Sequence, residues 1–286
     1  MEQEIRAEIR RFIVDSPANR LPDESGPYFD EPLVGFAAFS DPLFSRFQEI
    51  IGPFHQPPGA LFEATFGAAP AAGTVICWIL PIAEEVRKSN RRQSQWPSRE
   101  WALTRSHGEA LNRALREHLV GWLAARGQRA LAPQLAPGWR ELADSPVGIA
   151  STWSERHAAY AAGLGTFSLN DGLITRRGIA HRCGSVLTDL VLRPTPRSYS
   201  GRADHCLYHR DGSCAACVAR CPADALSREG HDKAKCRAYV YGATPQMLGA
   251  VYGVTATGCG LCQTKVPCEE RIPRSRPGET VDPGKP

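Results

Sequence analysis

Ile5, Ile9, Phe12 and Ile13 recur at helical spacing with charges between them, so residues 2–14 predict a short amphipathic helix. From 15 to 72 the pattern dissolves. Prolines at 17, 22, 27, 32, 42, 53, 57, 58 and 70 punctuate the stretch, and long loops with aromatic anchors are expected. Thr74 to Leu80 is a continuous apolar run, β-branched at its start and stopped by Pro81, which suits a buried central strand. A long helix is expected over 98–126, capped by Ser98 after Pro97 and ended by Gly127. Leu103, Leu111, Leu115, Leu119 and Trp122 recur along it at or near four-residue spacing, as core packing requires. Arg129 to Ala132 reads as a strand closing a strand–helix–strand unit. Ser154 then caps a helix over 155–162, broken by Gly163-Leu164-Gly165. Strand-like runs at 172–175 and 184–192 follow, joined by an arginine- and glycine-bearing turn, and Pro194 and Pro196 mark a linker.

Past that linker the organising feature is sulfur. Of ten cysteines, eight lie between 206 and 268. Cys214-Ala-Ala-Cys217-Val-Ala-Arg-Cys221-Pro222 supplies the last three cysteines of the bacterial two-cluster pattern, Cys-x2-Cys-x2-Cys-x3-Cys-Pro, in which the fourth serves the other cluster. Asp211 stands where the first cysteine belongs. Cys206, the nearest cysteine upstream, is read as the displaced ligand, with ligation by Asp211 or a three-iron cluster as the alternatives. The second half is looser: Cys236, then Cys259-Gly-Leu-Cys262, then Cys268 five residues on, with Pro267 before it. Exchanging fourth ligands assigns Cys206, Cys214, Cys217 and Cys268 to one [4Fe-4S] cluster, and Cys221, Cys236, Cys259 and Cys262 to the other. Zinc also takes four cysteines at such spacing, and disulfides are a further reading, disfavoured because nothing marks the chain as secreted. Cys77 and Cys183 read as small core residues.

Composition adds little. The chain has 286 residues, 42% hydrophobic and 22% charged, ordinary for a globular protein of one large or two modest domains. The net charge of +4 comes from scattered arginines, so the pairs Arg10-Arg11, Arg91-Arg92 and Arg176-Arg177 read as solvated surface, and no nucleic-acid face is inferred. The first residues carry early acids and no apolar segment, unlike a secretory signal. No run approaches the length of a membrane span, about 18 apolar residues or more. A cytoplasmic location with no membrane partner is expected.

The stretch Ser154-Glu-Arg-His-Ala-Ala-Tyr-Ala-Ala-Gly-Leu-Gly165, then Gly184-Ser-Val-Leu-Thr-Asp-Leu-Val-Leu192, then the cysteine module with Cys221-Pro-Ala-Asp-Ala-Leu226 and Cys236-Arg-Ala-Tyr239, resembles the epoxyqueuosine reductase family, itself related to reductive dehalogenases. The likeness spans residues 140–270. It implies an α/β, nitroreductase-like domain over 1–195 holding cobalamin, a ferredoxin-like module with two [4Fe-4S] clusters over 196–273, and a flexible tail over 274–286. It implies an iron–sulfur oxidoreductase that passes electrons singly to the cobalamin and cleaves a substrate reductively. An external low-potential donor of ferredoxin or flavodoxin type would feed it, and the substrate would be a small molecule or a modified nucleoside. The corrin would then contact Leu164, Gly165, Thr166, Phe167, Ser168 and Asn170 on one side, and Ile179 to Val186, with Arg182, Gly184, Ser185 and Val186, on the other. Gly163, Gly165 and Gly184 would permit close backbone approach, or are simply helix-end and turn glycines.

The chain also departs from that family. Ser168-Leu169 stands where the family has Gly-Lys. The family's proton-donating aspartate would fall on Ile149, with Asp144 five residues earlier. The helical-repeat domain that often follows is not in this sequence, which argues against transfer RNA as substrate. Reductive cleavage needs a proton donor, and the candidates are Asp144, His157, Tyr160 and His181, each of which also reads as an ordinary packed or solvated side chain. The competing reading is an electron-transfer iron–sulfur protein with no substrate chemistry of its own.

Overall fold

A computed structural model describes residues 1–275, so the tail expected over 274–286 lies outside the described residues apart from its first two positions. The sheet is built on β2 (Thr74–Pro81), whose eight residues are all buried. Successive side chains on a strand face opposite ways, and here both ways are core. Ile76, Trp78 and Leu80 pack under α1 (Glu2–Val14) and the long helix, whereas Val75, Cys77 and Ile79 pack against the opposite layer. A strand apolar on both faces belongs in the middle of three layers. Its partners are β1 (Leu33–Ala38) and β8 (His181–Thr188), both antiparallel to it, and β3 (Ala130–Leu131) pairs antiparallel to the far side of β8. The expected strand at 184–192 thus begins three residues earlier and stops at Thr188.

The proline-rich stretch is not loop throughout. It contains β1, α2 (Pro42–Ile51) and α3 (Pro58–Phe66). Pro42 and Pro58 sit in the first turn of their helices, where the missing N–H has no intrahelical partner to lose, so they begin helices that they appeared to break. Asp41 caps α2 by accepting from Leu43 N–H at 3.0 Å. A polar helix that no periodicity announced, α4 (Glu84–Arg91), follows β2. The helix expected over 98–126 forms as α5 (Arg99–Leu103), a π-turn over Thr104–Gly108 and α6 (Glu109–Ala124), with Ser98 Oγ accepting from Trp101 N–H at 3.1 Å.

Four short strands and a helix complete the scaffold around β8. β4 (Glu141–Leu142) pairs with β5 (Ala150–Ser151), α7 (Glu155–Ala161) starts at the Ser154 cap, and β6 (Gly165–Phe167) pairs with β7 (Leu173–Thr175). The cysteine-bearing segment carries short helices: α8 (Leu207–Asp211), α9 (Ala216–Ala219), α10 (Lys233–Arg237) and, after a π-turn over Ala238–Ala243, α11 (Thr244–Tyr252). This segment is docked by specific bonds. Ile179 N–H donates to Cys268 O at 2.9 Å, and a Cβ on Gly178, at φ +83°, would meet Glu269 O at 2.2 Å. Only glycine fits there. Arg87 and Arg91 of α4 reach Glu270 at 2.9 Å and Glu269 at 2.7 Å, and Arg220 donates to Gln93 O at 2.7 Å. Among the described residues no helix is long and apolar enough to cross a membrane.

Candidate metal centres and the cleft beside them

The eight clustered cysteines fall into two groups in space. Cys206, Cys214, Cys217 and Cys268 line one small apolar cavity together with Ile174, Ile179 and Val266. Burial, and then the neighbouring Cys217, Cys206 and Cys214, push the Cys268 thiol well above its ordinary value. Cys268 therefore meets three cysteines about fifty residues earlier in the chain. In the other group burial pushes Cys259 up to about 12, with Cys236 and Cys221 adding to it. Burial likewise raises Cys262, which feels Cys259, Cys236, Cys217 and Cys221. The influence of Cys217 on Cys262 shows that the two groups adjoin.

Cys206 faces the cavity that Asp211 does not reach. The Asp211 carboxylate accepts from Ser213 N–H at 3.0 Å, Ser213 Oγ at 2.5 Å and Ser275 Oγ at 2.6 Å. Those bonds, the Ser213 hydroxyl foremost, hold it far below the usual carboxylate range. All ten cysteines are free thiols, and among the described residues no three His, Cys, Asp or Glu side chains converge tightly enough to hold a single ion. Ala225 N–H points at Cys221 Sγ from 3.3 Å, as a donor to thiolate sulfur would.

One edge of β8 lacks a strand neighbour. Because β3 pairs only with Leu187 and Thr188, residues His181 to Val186 have β2 on one side and no strand on the other. Side chains occupy that open edge: Asn112 Nδ2 and Arg116 Nη2 both donate to Cys183 O at 3.1 Å. Arg116, 1% exposed, lies 3.1 Å from Glu109 Oε1 and 3.4 Å from Glu155 Oε1, and Arg182 pairs with the other oxygen of Glu109. Burial pushes the Glu155 carboxyl up against the pull of Arg116. Three buried polar atoms here lack a hydrogen-bond partner: His181 Nδ1, and Arg116 Nε and Glu155 Oε1, which face each other at 3.4 Å.

No protein-family model matches the chain, and no curated protein matches it in sequence. Its three-dimensional form does match. The chain has the fold of the epoxyqueuosine reductases. Against the enzyme from Bacillus subtilis the TM-score is 0.51 at 17% identity, covering 99% of this chain and 69% of the other. Against an epoxyqueuosine reductase with an epoxyqueuosine-modified tRNA-Tyr stem loop it is 0.53 at 18% identity, covering 99% and 69%. A catabolic reductive dehalogenase in complex with 3-bromo-4-hydroxybenzoic acid gives 0.51 at 14% identity, and this chain spans 37% of its length. At such identities the likeness is one of fold, and it agrees with the α/β class expected from the sequence.

Within this epoxyqueuosine reductase fold the expected corrin contacts divide. Arg182 and Cys183 stay partly accessible at the open edge, whereas Ser185 and Val186 are fully buried. Ser185 Oγ accepts from Trp153 Nε1 at 3.0 Å and donates to Glu155. The close approaches that glycine permits are taken by the chain itself. A Cβ on Gly184 would strike the Trp78 indole at 2.5 Å, one on Gly165 the Ile174 carbonyl at 2.4 Å, and one on Gly163 the Pro196 carbonyl at 3.0 Å. Leu164 packs on the α7 side of the sheet, and Thr166 Oγ1 accepts from His205 N–H at 2.9 Å. Ser168 and Asn170 line the first cysteine cavity, and Asn170 Nδ2 donates to Cys262 O at 3.0 Å. They brace the sulfur groups.

The proton-donor candidates are scattered. Asp144 is exposed in the β4–β5 loop, which Lys233 tethers by donating to Val147 O at 2.8 Å. His157 and Tyr160 share an aromatic pack with Phe47 and Phe167, and His157 Nδ1 lies 2.8 Å from Ser154 Oγ. Burial, with His55 adding to it, pushes His157 down to about 3, so it is neutral near pH 7. The unfolded chain takes up this proton below about pH 6.5 and the folded chain does not. Stability should therefore fall as pH drops from about 7 toward 4, by up to about 1.4 kcal/mol per pH unit for this group. Urea midpoints of His157→Gln between pH 4.5 and 7 should show a flatter slope than the parent, and an equal slope would refute the assignment. His181 Nε2 lies 2.8 Å from Leu173 O, and burial lowers its ring to about 4.

Sequence reasoning missed the Glu109–Arg116–Glu155–Arg182 network. Its signal was present: Glu109, Asn112 and Arg116 recur at spacings of three and four beside the leucine stripe of α6, forming a second, polar face.

Proposed function

We propose that the protein is an iron–sulfur reductase in which Cys206, Cys214, Cys217 and Cys268 hold one [4Fe-4S] cluster and Cys221, Cys236, Cys259 and Cys262 the other. The carrying observation is the interlaced grouping of these sulfurs. Four buried thiols in apolar surroundings suit a thiolate-bound cluster, because metal binding releases the protons that burial otherwise retains. The run Cys214-x2-Cys217-x3-Cys221-Pro222, with its last cysteine in the other group, favours iron–sulfur clusters over zinc.

The open edge of β8 supports a second cofactor. With no strand on the outer side of His181 to Val186, Arg182 partly accessible and His181 Nδ1 without a hydrogen-bond partner, β8 leaves bonding capacity that a cobalamin with its ring of amides would fill. When bound there it would supply a cobalt centre able to break a carbon–oxygen or carbon–halogen bond reductively. The chain's own share is narrower. Arg116 and Arg182 hold cationic charge at the edge against Glu109, and burial raises the carboxyl of Glu155 beside Arg116. The substrate would be a small molecule or a modified nucleoside.

One observation favours the second reading, an electron-transfer protein without substrate chemistry: Trp78 and Ile174 already occupy the space beside Gly184 and Gly165. Anaerobic purification with added hydroxocobalamin, followed by desalting, metal and sulfide analysis and a spectrum, separates the two. The reductase should retain about eight irons per chain and one corrin. Irons without corrin would leave the electron-transfer protein, and zinc in place of iron would overturn both.

A further inference from the structure

An open groove of about 880 Å³ runs over the outer side of the first cysteine group. Val266, Pro267 and Pro273 line both this groove and the sulfur cavity, so only that wall separates the groove from Cys268. The groove presents Arg91, Lys265, Arg271 and Arg274, against two carboxylates, Glu269 and Glu270. Glu269 is 3% exposed and bonded to Arg91 at 2.7 Å, and Glu270 is engaged by Arg87 at 2.9 Å and by Arg271. Their charge is thus spent within the protein. The same pairs take up Arg91 and Arg271, so what remains toward solvent beside the first sulfur group is the positive charge of Lys265 and Arg274.

We infer that this groove is the docking site of an acidic one-electron carrier, a low-potential iron–sulfur protein with a negatively charged face. The inference rests on the iron–sulfur reading above. Opposite charge across such a surface speeds encounter and fixes orientation more than it adds affinity. The transfer makes and breaks no bond: the carrier's centre loses one electron, the cluster at Cys268 gains it, and no proton moves.

The test uses the full chain and a plant-type [2Fe-2S] ferredoxin of net negative charge. Lys265→Glu/Arg274→Glu reverses two exposed rim charges, and Arg46→Glu/Arg193→Glu reverses two exposed charges on other elements. At low ionic strength, reduction by the ferredoxin should slow by about tenfold or more in the rim variant, and added salt should narrow the difference. The control variant should match the parent, and photoreduced deazaflavin, which needs no docking surface, should reduce all three alike. Equal ferredoxin rates in parent and rim variant would overturn the inference, as would equal slowing with deazaflavin. Titration with oxidised ferredoxin keeps the two failures apart. Binding lost in the rim variant supports docking even in a chain found to lack iron, whereas iron present and binding unchanged removes the docking site alone.

Discussion

Cys217→Ala/Cys268→Ala should retain about four irons per chain, whereas Cys217→Ala/Cys262→Ala should retain almost none. The two variants remove the same number of thiols, so only the pairing of ligands distinguishes them. Under the interlaced arrangement Cys217 and Cys268 serve one cluster, and losing both leaves Cys221, Cys236, Cys259 and Cys262 whole. If each half of the segment held its own cluster, both variants would lose both clusters, since Cys217 would belong to one and Cys262 and Cys268 to the other. Iron and labile sulfide, measured after anaerobic desalting, decide between them. A Cys217→Ala/Cys268→Ala protein devoid of iron would sink the assignment.

Arg116→Met should destabilise the protein by about 3–5 kcal/mol, the range for removing one partner of a buried ionic group. Arg116 is 1% exposed and lies between Glu109 and Glu155, with a further bond to Cys183 O. Methionine fills a similar volume but leaves Glu155 without its cation and Glu109 with Arg182 alone. The pH dependence has a definite sign. Burial already raises Glu155 above the ordinary carboxylate value, and removing Arg116 raises it further. A carboxyl raised on folding contributes stability that is lost as pH rises, so the deficit should be larger at pH 8 than at pH 5. Adding Glu155→Gln should recover part of the loss at pH 8. Denaturant midpoints for the two variants supply the measurement, and a deficit under about 1 kcal/mol would mean that the network is solvated rather than buried.

Much of this was legible in the chain because it depends on neighbours in sequence. The apolar run at 74–80 is a central strand since both of its faces are apolar, and Ser98 and Ser154 cap helices since their hydroxyls reach only the next turn. The cysteine spacing announced thiol ligation, and the resemblance drawn from 154–192 and the cysteine module agreed with the fold. The stretch 15–72 was misread because proline has the same sequence signature in a loop as in the first turn of a helix, and only the partners of the following residues tell the two apart. The polar stripe Glu109–Asn112–Arg116 was overlooked beside stronger leucines.

The sequence alone determined which residues can ligate, which segments bury both faces and where α1, α5 and α7 begin, for these follow from side-chain chemistry and periods of two or 3.6 residues. Tertiary structure alone decided that β3 stops short and leaves His181 to Val186 without a second strand neighbour, and that Arg91 and Lys265 share a groove. Those placements depend on contacts between residues many tens of positions apart. No local period encodes them, because the loops between set the distance and only packing sets the direction.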